Sequence, residues 1–389
     1  MIPVGIDALS LATGHYALNL TDLAVARGVD PQKYLVGLGQ ITMSVPSPQE
    51  DIITMGVEAG LRVLSKIPDP ESIRWVLCAT ESSIDQSKSA GIYIHHFLAL
   101  PSACRVVELK QACYSATAAL QIAAAVIRQH PQDKVLVVAS DIARYGLNTS
   151  GEPTQGCGAV AFIVSAHPRL LQLEETSGLY TRHIMDFWRP NDQDAACVNG
   201  RYSTIAYLEA LEKTWQNFLS KGGASFEELA FTCFHTPFPR MAEKAFIRHI
   251  ALAGKTRPSH APLLAAALHY GRQLGNCYTA ALYIHFLSLL EQSSQDFSGK
   301  RLGFFSYGSG CAAEFFTGLV PACYQAILSH QEHEEALRQR LPLTVSEYED
   351  FYKRAHRLAF APEPCYATGP LCFLGIKNKK RCYVSTNAI

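Results

Sequence analysis

The sequence predicts an α/β protein built as two similar halves around buried sheet strands, and three observations carry that expectation. Five continuous apolar, β-rich runs recur along the chain: IRWVLCAT (73–80), KVLVVASD (134–141), AVAFIVSA (159–166), ELAFTCFH (228–235) and RLGFFSYG (301–308). Runs of this length without strict in–out alternation belong to strands covered on both faces. Helical stretches separate them, and the most apolar of these, 112–127 and 277–290, carry Ser, Thr, Gln or His and fall short of the roughly 20 residues of a bilayer span, so they read as buried helices. Finally, the plan repeats.

Taken in order, the amino terminus MIPVGIDALSLATG has no basic stretch ahead of an apolar one, so no secretory signal is expected and the chain is placed in the cytoplasm. The strand at 73–80 runs into Glu81, and some thirty residues on comes a helix start rich in small residues, ACYSATAALQIA (112–123). A glycine turn beside an apolar run, QGCGAVAFIV (155–164), ends the first half, set at residues 1–166. The second half, 167–389, opens with a region of aromatic and polar clusters, HIMDFWRPND and NGRYSTIAY, expected to be an inserted cap near 167–227. The order of the first half then returns: the strand at 228–234 runs into His235, GNCYTAALYIHF (275–286) opens a helix, and YGSGCAAEFF (307–316) supplies the glycine turn. Both helix starts contain Cys-Tyr-Ser/Thr-Ala. Small residues and glycines also recur by chance in apolar chains; if the repeat is real, strand ends and helix starts of both halves converge on one site, as ligands gather at strand carboxyl ends in open α/β sheets.

Composition narrows the function. Apolar residues make up 48% and charged ones 17%, below the usual level of about 25%, which fits a compact enzyme-like body rather than a disordered chain. Lys plus Arg (34) balances Asp plus Glu (34), so the broad positive field used by nucleic-acid binders is missing. Twelve cysteines without paired spacing point to reduced thiols, most of them small core residues. There is no Cys-x-x-Cys, and the one close histidine pair, His330 and His333, lies in a polar stretch without further ligands, so no metal is expected. The absence of GxGxxG before a helix argues against nicotinamide and ATP chemistry.

Three residues could do chemistry. Cys113 precedes a helical run, where the helix dipole and unpaired amides favour a thiolate nucleophile; a buried structural cysteine is the alternative. Glu81 directly follows an apolar strand, where burial would raise its pKa for proton transfer; an exposed helix-capping glutamate is the alternative. His235 is fixed where a strand gives way to a turn ahead of Pro237, and could hydrogen-bond a substrate carbonyl or sit as an ordinary surface or core histidine. The loops GSG (308–310) and QGCG (155–158) could offer amides to an oxyanion, or only permit positive φ.

A set of longer motifs then adds a family. GVDPQKYLVGLGQ (28–40), ATESSIDQSKSA (79–90), KQACYSATAALQ (110–121), SDIARYGLNTSGEPTQGCGAVAF (140–162), DFWRPN (186–191), FHTPFPRMAEKAF (234–246), GNCYTAALY (275–283) and FSYGSGCAAEFF (305–316) resemble, in that order, the hydroxymethylglutaryl-CoA synthases of the thiolase-like superfamily, in a bacterial style. The resemblance implies a duplicated thiolase-like α/β fold in α-β-α-β-α layers, a homodimer, and condensation of acetyl-CoA with acetoacetyl-CoA in the mevalonate route. It implies that Cys113 is acetylated, that Glu81 is the general acid and base, and that His235 assists the acetoacetyl substrate. Tyr145, Thr154, Ser203, Asn276 and Ser309 match positions that line the family's acyl pocket, and Arg240 and Lys244 its CoA-contacting segment. CoA thioesters are the substrates; no metal, flavin, nicotinamide, nucleic-acid or membrane partner is implied.

The carboxyl-terminal region departs from the pattern. YKRAHRLAF resembles the family's late helix, but CYATGPLCFLGIKNKKRCYVSTNAI follows it only in outline. Two alternatives remain: a polyketide β-branching synthase using the same three residues on carrier-protein substrates, and a catalytically silent thiolase-like binding module.

Overall fold

The computed structural model describes residues 2–255, 261–354 and 359–386. Its framework is a nine-stranded mixed sheet. In chain order the strands are β1 (Val4–Thr13), β2 (Ile73–Ala79), β3 (Arg105–Leu109), β4 (Lys134–Ala143), β5 (Gly156–Ala166), β6 (Leu171–Thr181), β7 (Leu229–Phe234), β8 (Arg301–Gly308) and β9 (Ala312–Leu319). They lie in the order β7-β8-β9-β6-β1-β5-β4-β2-β3.

That order reads the same way outward from its middle. From β1 the first half runs β1-β5-β4-β2-β3; from β6 the second runs β6-β9-β8-β7. Corresponding contacts have corresponding sense: β4–β2 and β8–β7 are parallel, while β4–β5 and β8–β9 are antiparallel, as are β5–β1 and β9–β6. In the sheet the halves meet where β1 pairs with β6, Gly5 with Gln172 and Ile6 with Leu171.

Helices complete the layers. α1 (Ile52–Leu64) covers the outer face of β1, β4 and β5; it starts at Asp51, whose carboxylate accepts from the Ile53 and Thr54 N–H groups at 2.9 and 3.1 Å while the Thr54 hydroxyl takes the Asp51 N–H. α2 (Ala90–Phe97) lies beside α1 and β3. α3 (Ser115–Gln129) and α7 (Ala281–Gln292) form the central layer. They are joined by the Thr117 hydroxyl, 3.0 Å from Tyr283 Oη and 2.8 Å from Ser306 Oγ on β8. Between them in sequence come α4 (Gly200–Ser220), which covers β6, β8 and β9, and α5 (Pro239–Leu252) and α6 (Ala261–Leu274), which flank α4 and α7.

The five apolar runs all form sheet strands. The cap expected over 167–227 is mostly framework instead: 171–181 is β6, the inner strand of the second half, and 200–220 is α4. The polar residues of LQLEETSGLYT concealed β6, and they are tolerated because one of its faces is only partly covered. What remains over the site is the segment between Arg182 and Asn199, with a two-residue pairing of Phe187–Trp188 against Cys197–Val198. All twelve cysteines are free, but six rather than most are buried: Cys78, Cys157, Cys233, Cys277, Cys311 and Cys372. The C-terminal segment forms a hairpin, Leu371–Lys377 against Lys380–Ser385, pinned where Arg381 and Tyr383 reach the Asp51 carboxylate at 3.0 and 2.6 Å. Residues 355–358 of the expected late helix lie outside the described residues.

Candidate active site

β2 and β7 hold corresponding places in the two halves, each parallel to its neighbour, and the chain leaves them at Glu81 and His235. Cys113 sits two residues ahead of α3 in a tight turn. Ala112 adopts a left-handed φ of 44°, and the Ser115 hydroxyl closes on the Ala112 carbonyl at 2.9 Å. The GSG loop presses against this turn at Gly308, where a Cβ would fall 2.5 Å from the Gln111 carbonyl oxygen, so only glycine permits the approach.

The turn brings the Cys113 thiol to Glu81, with Sγ donating to Oε1 at 2.9 Å. Both residues are half-buried, and Cys113 packs on Ala143, Tyr145 and Tyr278. Behind Glu81 lies Asp141, fully buried. Its Oδ1 accepts from the Thr80 hydroxyl (2.8 Å) and the Glu81 and Ser82 N–H groups (2.9 and 3.0 Å); its Oδ2 accepts from the Thr279 N–H (3.1 Å) and hydroxyl (2.5 Å). One carboxylate thus fastens the end of β2 to the helix start of the second half.

The electrostatics follow from this crowding. Burial, and then the Asp141 charge, push the Glu81 carboxyl up to about 8, although the thiol hydrogen bond and Arg189 pull it the other way. Burial and the Glu81 charge also push the Cys113 thiol well above its ordinary value. The expectation that the helix terminus favours a free thiolate is therefore corrected: two carboxyl groups and desolvation outweigh the dipole, and the resting pair is a protonated thiol donating to Glu81. Burial lowers His235 to about 3, so it is a neutral imidazole; its buried Nδ1 has no hydrogen-bond partner among the described residues. Its backbone is clamped by the Phe305 carbonyl (2.8 Å) and the Tyr207 hydroxyl (2.7 Å).

The other predicted positions divide. Tyr145 and Asn276 meet directly, Nδ2 to Oη at 3.2 Å, and the Asn276 N–H reaches the Thr154 carbonyl at 3.3 Å. The close approach of 154–156 to 275–276 needs Gly156, whose Cβ would stand 2.3 Å from the Leu274 carbonyl oxygen. The Ser309 carbonyl takes the Gln111 side-chain N–H at 3.1 Å. Ser203 lies one turn before Tyr207 on the same face of α4, the face turned to His235. Arg240 and Lys244 lie apart, on α5: Arg240 pairs with Glu243 and donates to the Val36 carbonyl at 2.6 Å, and Lys244 is exposed.

Several site residues escaped the candidate set: Asp141, Asp186, Phe187, Arg189 and Tyr278. Asp186 is fully buried and holds the Tyr307 hydroxyl at 2.6 Å and the Gly310 N–H at 2.9 Å. Phe187 packs edge-on against Tyr145 and Tyr278, with centroids 5.9 and 5.8 Å apart. The density of aromatic and charged side chains in DFWRPN was the available signal. Cys277, the counterpart of Cys113 in the repeat, is fully buried, with Gly158 held against its sulfur. Among the described residues no cluster suited to a metal occurs, and His333 is buried against the Glu291 carboxylate at 2.9 Å.

A cysteine at a helix start bonded to a glutamate of raised pKa, with a neutral histidine at the corresponding strand end of the other half, suits acyl transfer with carbon acid chemistry. Comparison with known proteins agrees. The family model described as hydroxymethylglutaryl-coenzyme A synthase N terminal matches residues 2–168, and that of the C terminal matches 171–259 and 251–363. A hydroxymethylglutaryl-CoA synthase from Enterococcus faecalis is 41% identical over 352 residues, covering 90% of this chain and 91% of the relative. A polyketide biosynthesis 3-hydroxy-3-methylglutaryl-ACP synthase from Bacillus subtilis is 32% identical, covering 92% and 90%. A crystal structure of an HMG-CoA synthase complexed with CoA superposes with a TM-score of 0.92 at 38% identity, covering 99% of this chain and all of that one. The duplicated framework is therefore the thiolase-like fold, and with both halves matched in order the chain belongs to the hydroxymethylglutaryl-CoA synthase family.

Proposed function

We propose that the chain condenses acetyl-CoA with acetoacetyl-CoA and water to give 3-hydroxy-3-methylglutaryl-CoA and CoA, in the mevalonate route to isoprenoids. The observation that carries this reading is the 2.9 Å hydrogen bond from Cys113 to Glu81 at the joint of the two halves. As the sulfur attacks the acetyl carbonyl, Glu81 takes the thiol proton, and the backbone N–H groups of Cys113 and Ser309 receive the oxyanion. Collapse of the tetrahedral species expels CoA as its thiolate, which recovers the proton from Glu81 and leaves acetyl-Cys113.

Glu81, a carboxylate again, removes a methyl proton from the acetyl group, and the enolate adds to C3 of acetoacetyl-CoA. A carboxyl at about 8 is a far stronger base than an ordinary glutamate, which suits a carbon acid. His235 stays neutral and donates a hydrogen bond to the acceptor's oxygen, and Glu81 returns its proton to the new tertiary alkoxide. Water then cleaves the Cys113 thioester, giving the free carboxylate of the product and the thiol. Tyr145, Thr154, Ser203, Asn276 and Ser309 shape the acyl pocket, while Arg240 and Lys244 meet the CoA phosphates. The chemistry calls for no metal or redox cofactor.

The edge strand β3, with Val107 41% exposed, supports a homodimer formed through that edge. No helix among the described residues is long and apolar enough to cross a membrane, and a cytoplasmic setting accords with the substrates. The 32% identity to the Bacillus subtilis synthase supports a second reading, condensation on carrier-protein substrates; the 41% identity to the Enterococcus faecalis enzyme favours free CoA. Mass spectrometry after brief exposure to acetyl-CoA should show one acetyl group on Cys113, and product should form faster from acetoacetyl-CoA than from acetoacetyl-carrier protein. Acetylation elsewhere, or product with the carrier protein alone, overturns the corresponding part of the reading.

A further inference from the structure

The segment between Arg182 and Asn199 is tied down along its length. The Arg182 and Ile184 N–H groups bond the Cys311 and Gly310 carbonyls at 3.1 and 2.8 Å, the Asp186 carboxylate holds Tyr307 and Gly310, and Phe187 is wedged between Tyr145 and Tyr278. This anchoring delivers the half-buried Arg189 to the wall of a cleft of about 1600 Å³ that Glu81 also lines. There the Arg189 guanidinium donates from Nη2 to the main-chain carbonyl of Glu81 at 2.7 Å.

We propose that Arg189 is a positioning residue for Glu81: its guanidinium fixes the turn that presents the carboxyl and supplies the positive charge against which the carboxylate form is held during proton transfer. The proposal rests on the condensation reading for the role of Glu81. The groups that face Glu81 are Cys113 from the start of α3, Asp141 from the end of β4, Tyr145 just beyond it, Tyr278 ahead of α7, and Arg189. Burial keeps both tyrosines neutral, so the ionised state of Glu81 stands between a second carboxyl group and the Arg189 cation. Without that cation, a base buried beside Asp141 would hold its proton to higher pH. Arginine suits the position because one of its five N–H groups can serve the carbonyl while the charge stays permanent and delocalised.

The test compares Arg189→Met, Arg189→Gln and Arg189→Lys with the wild type. Two pH profiles are measured on each protein: condensation of acetyl-CoA with acetoacetyl-CoA, and alkylation of Cys113 by iodoacetamide followed by mass spectrometry. The second reads the Cys113–Glu81 pair without any turnover, so a wild type that alkylates normally but forms no product would defeat the functional reading while the Arg189 profiles still decide this one. Loss of the charge should move the acid limb of both profiles to higher pH by about one unit. Arg189→Gln, which retains an N–H for the Glu81 carbonyl, should shift as Arg189→Met does, and Arg189→Lys should stay near the wild type. Profiles of the Met and Gln variants that superimpose on the wild type along the pH axis, whatever their rates, overturn the proposal.

Discussion

Glu81→Gln keeps an oxygen for the Cys113 thiol and removes the proton that titrates. In the folded chain the Glu81 carboxyl stands at about 8 against an ordinary 4.5, a gap of about 3.5 pH units or, at 1.36 kcal/mol per unit, about 5 kcal/mol. The raised value means that the folded state holds this proton more tightly than the unfolded chain does. Its contribution to stability is whole below pH 4.5 and drains away as pH rises to about 8, above which the ionised carboxylate sits in its site at full cost. Glutamine carries no such dependence. The advantage of the variant over the wild type should therefore grow with pH by about 1.4 kcal/mol per unit between roughly pH 5 and 8, then level off. Guanidinium unfolding of both proteins at intervals from pH 5 to 9, followed by circular dichroism, reads this difference directly. A gap that stays constant over the range, or narrows as pH rises, refutes the assignment of a raised proton affinity to Glu81. The variant should gain this stability while losing condensation, the trade expected where a site is built for chemistry.

Glu81→Ala should still form acetyl-Cys113, because it removes the acceptor of the thiol proton but also the negative charge that holds that proton on sulfur; condensation should fall by about 10² to 10⁴, read as labelled acetyl incorporation beside product. Near wild-type condensation, or failure already at acetylation by folded protein, would show the division of roles to be wrong. Lys244→Ala should raise KM for both CoA substrates and flatten its dependence on salt; unchanged values would relocate the CoA phosphates. Glu314→Ala should destabilise the fold by about 3 kcal/mol in urea unfolding, since its buried carboxylate serves the Tyr114 hydroxyl (2.7 Å), the Gln121 amide (2.7 Å) and the Ser177 hydroxyl (2.6 Å); a change below about 1 kcal/mol would mean that these donors find other partners.

The parts of the fold that were legible were those where one physical signal dominated. The five apolar runs have no partner but a covered sheet, and each became a strand. β1 and β6 lack that signal, because Asp7 and Ser10 interrupt the first and Glu174, Glu175 and Ser177 the second. Those interruptions are absorbed by contacts that a sequence does not display: Asp7 pairs with Arg169 at 2.6 Å, Glu174 with Arg301 at 2.7 Å, and Ser177 with Glu314. In the site, Glu81, Cys113 and His235 stood out because each ends or begins an element. Asp141 and Arg189 did not, since their importance lies in reaching across to Glu81 from sixty and more residues away. The thiolate expectation failed for the same reason: a helix start is visible in one dimension, whereas two carboxyl groups converging on it are not.

The two Cys-Tyr-Ser/Thr-Ala helix starts have parted company in what each side chain does. In the first copy Cys113 touches Glu81, Tyr114 reaches Glu314 in the other half, and Ser115 closes its own turn. In the second copy Cys277 is sealed beneath Gly158 with its thiol pushed far up, Tyr278 packs with Tyr145 beside Cys113, and Thr279 grips Asp141. One copy presents its sulfur to a carboxylate and the other supplies the packing and the clamp around it. Grafting either tetrapeptide into the other's place would conserve three of four residue types yet strand every partner, so the internal likeness that makes the duplication readable gives no licence to treat the copies as interchangeable.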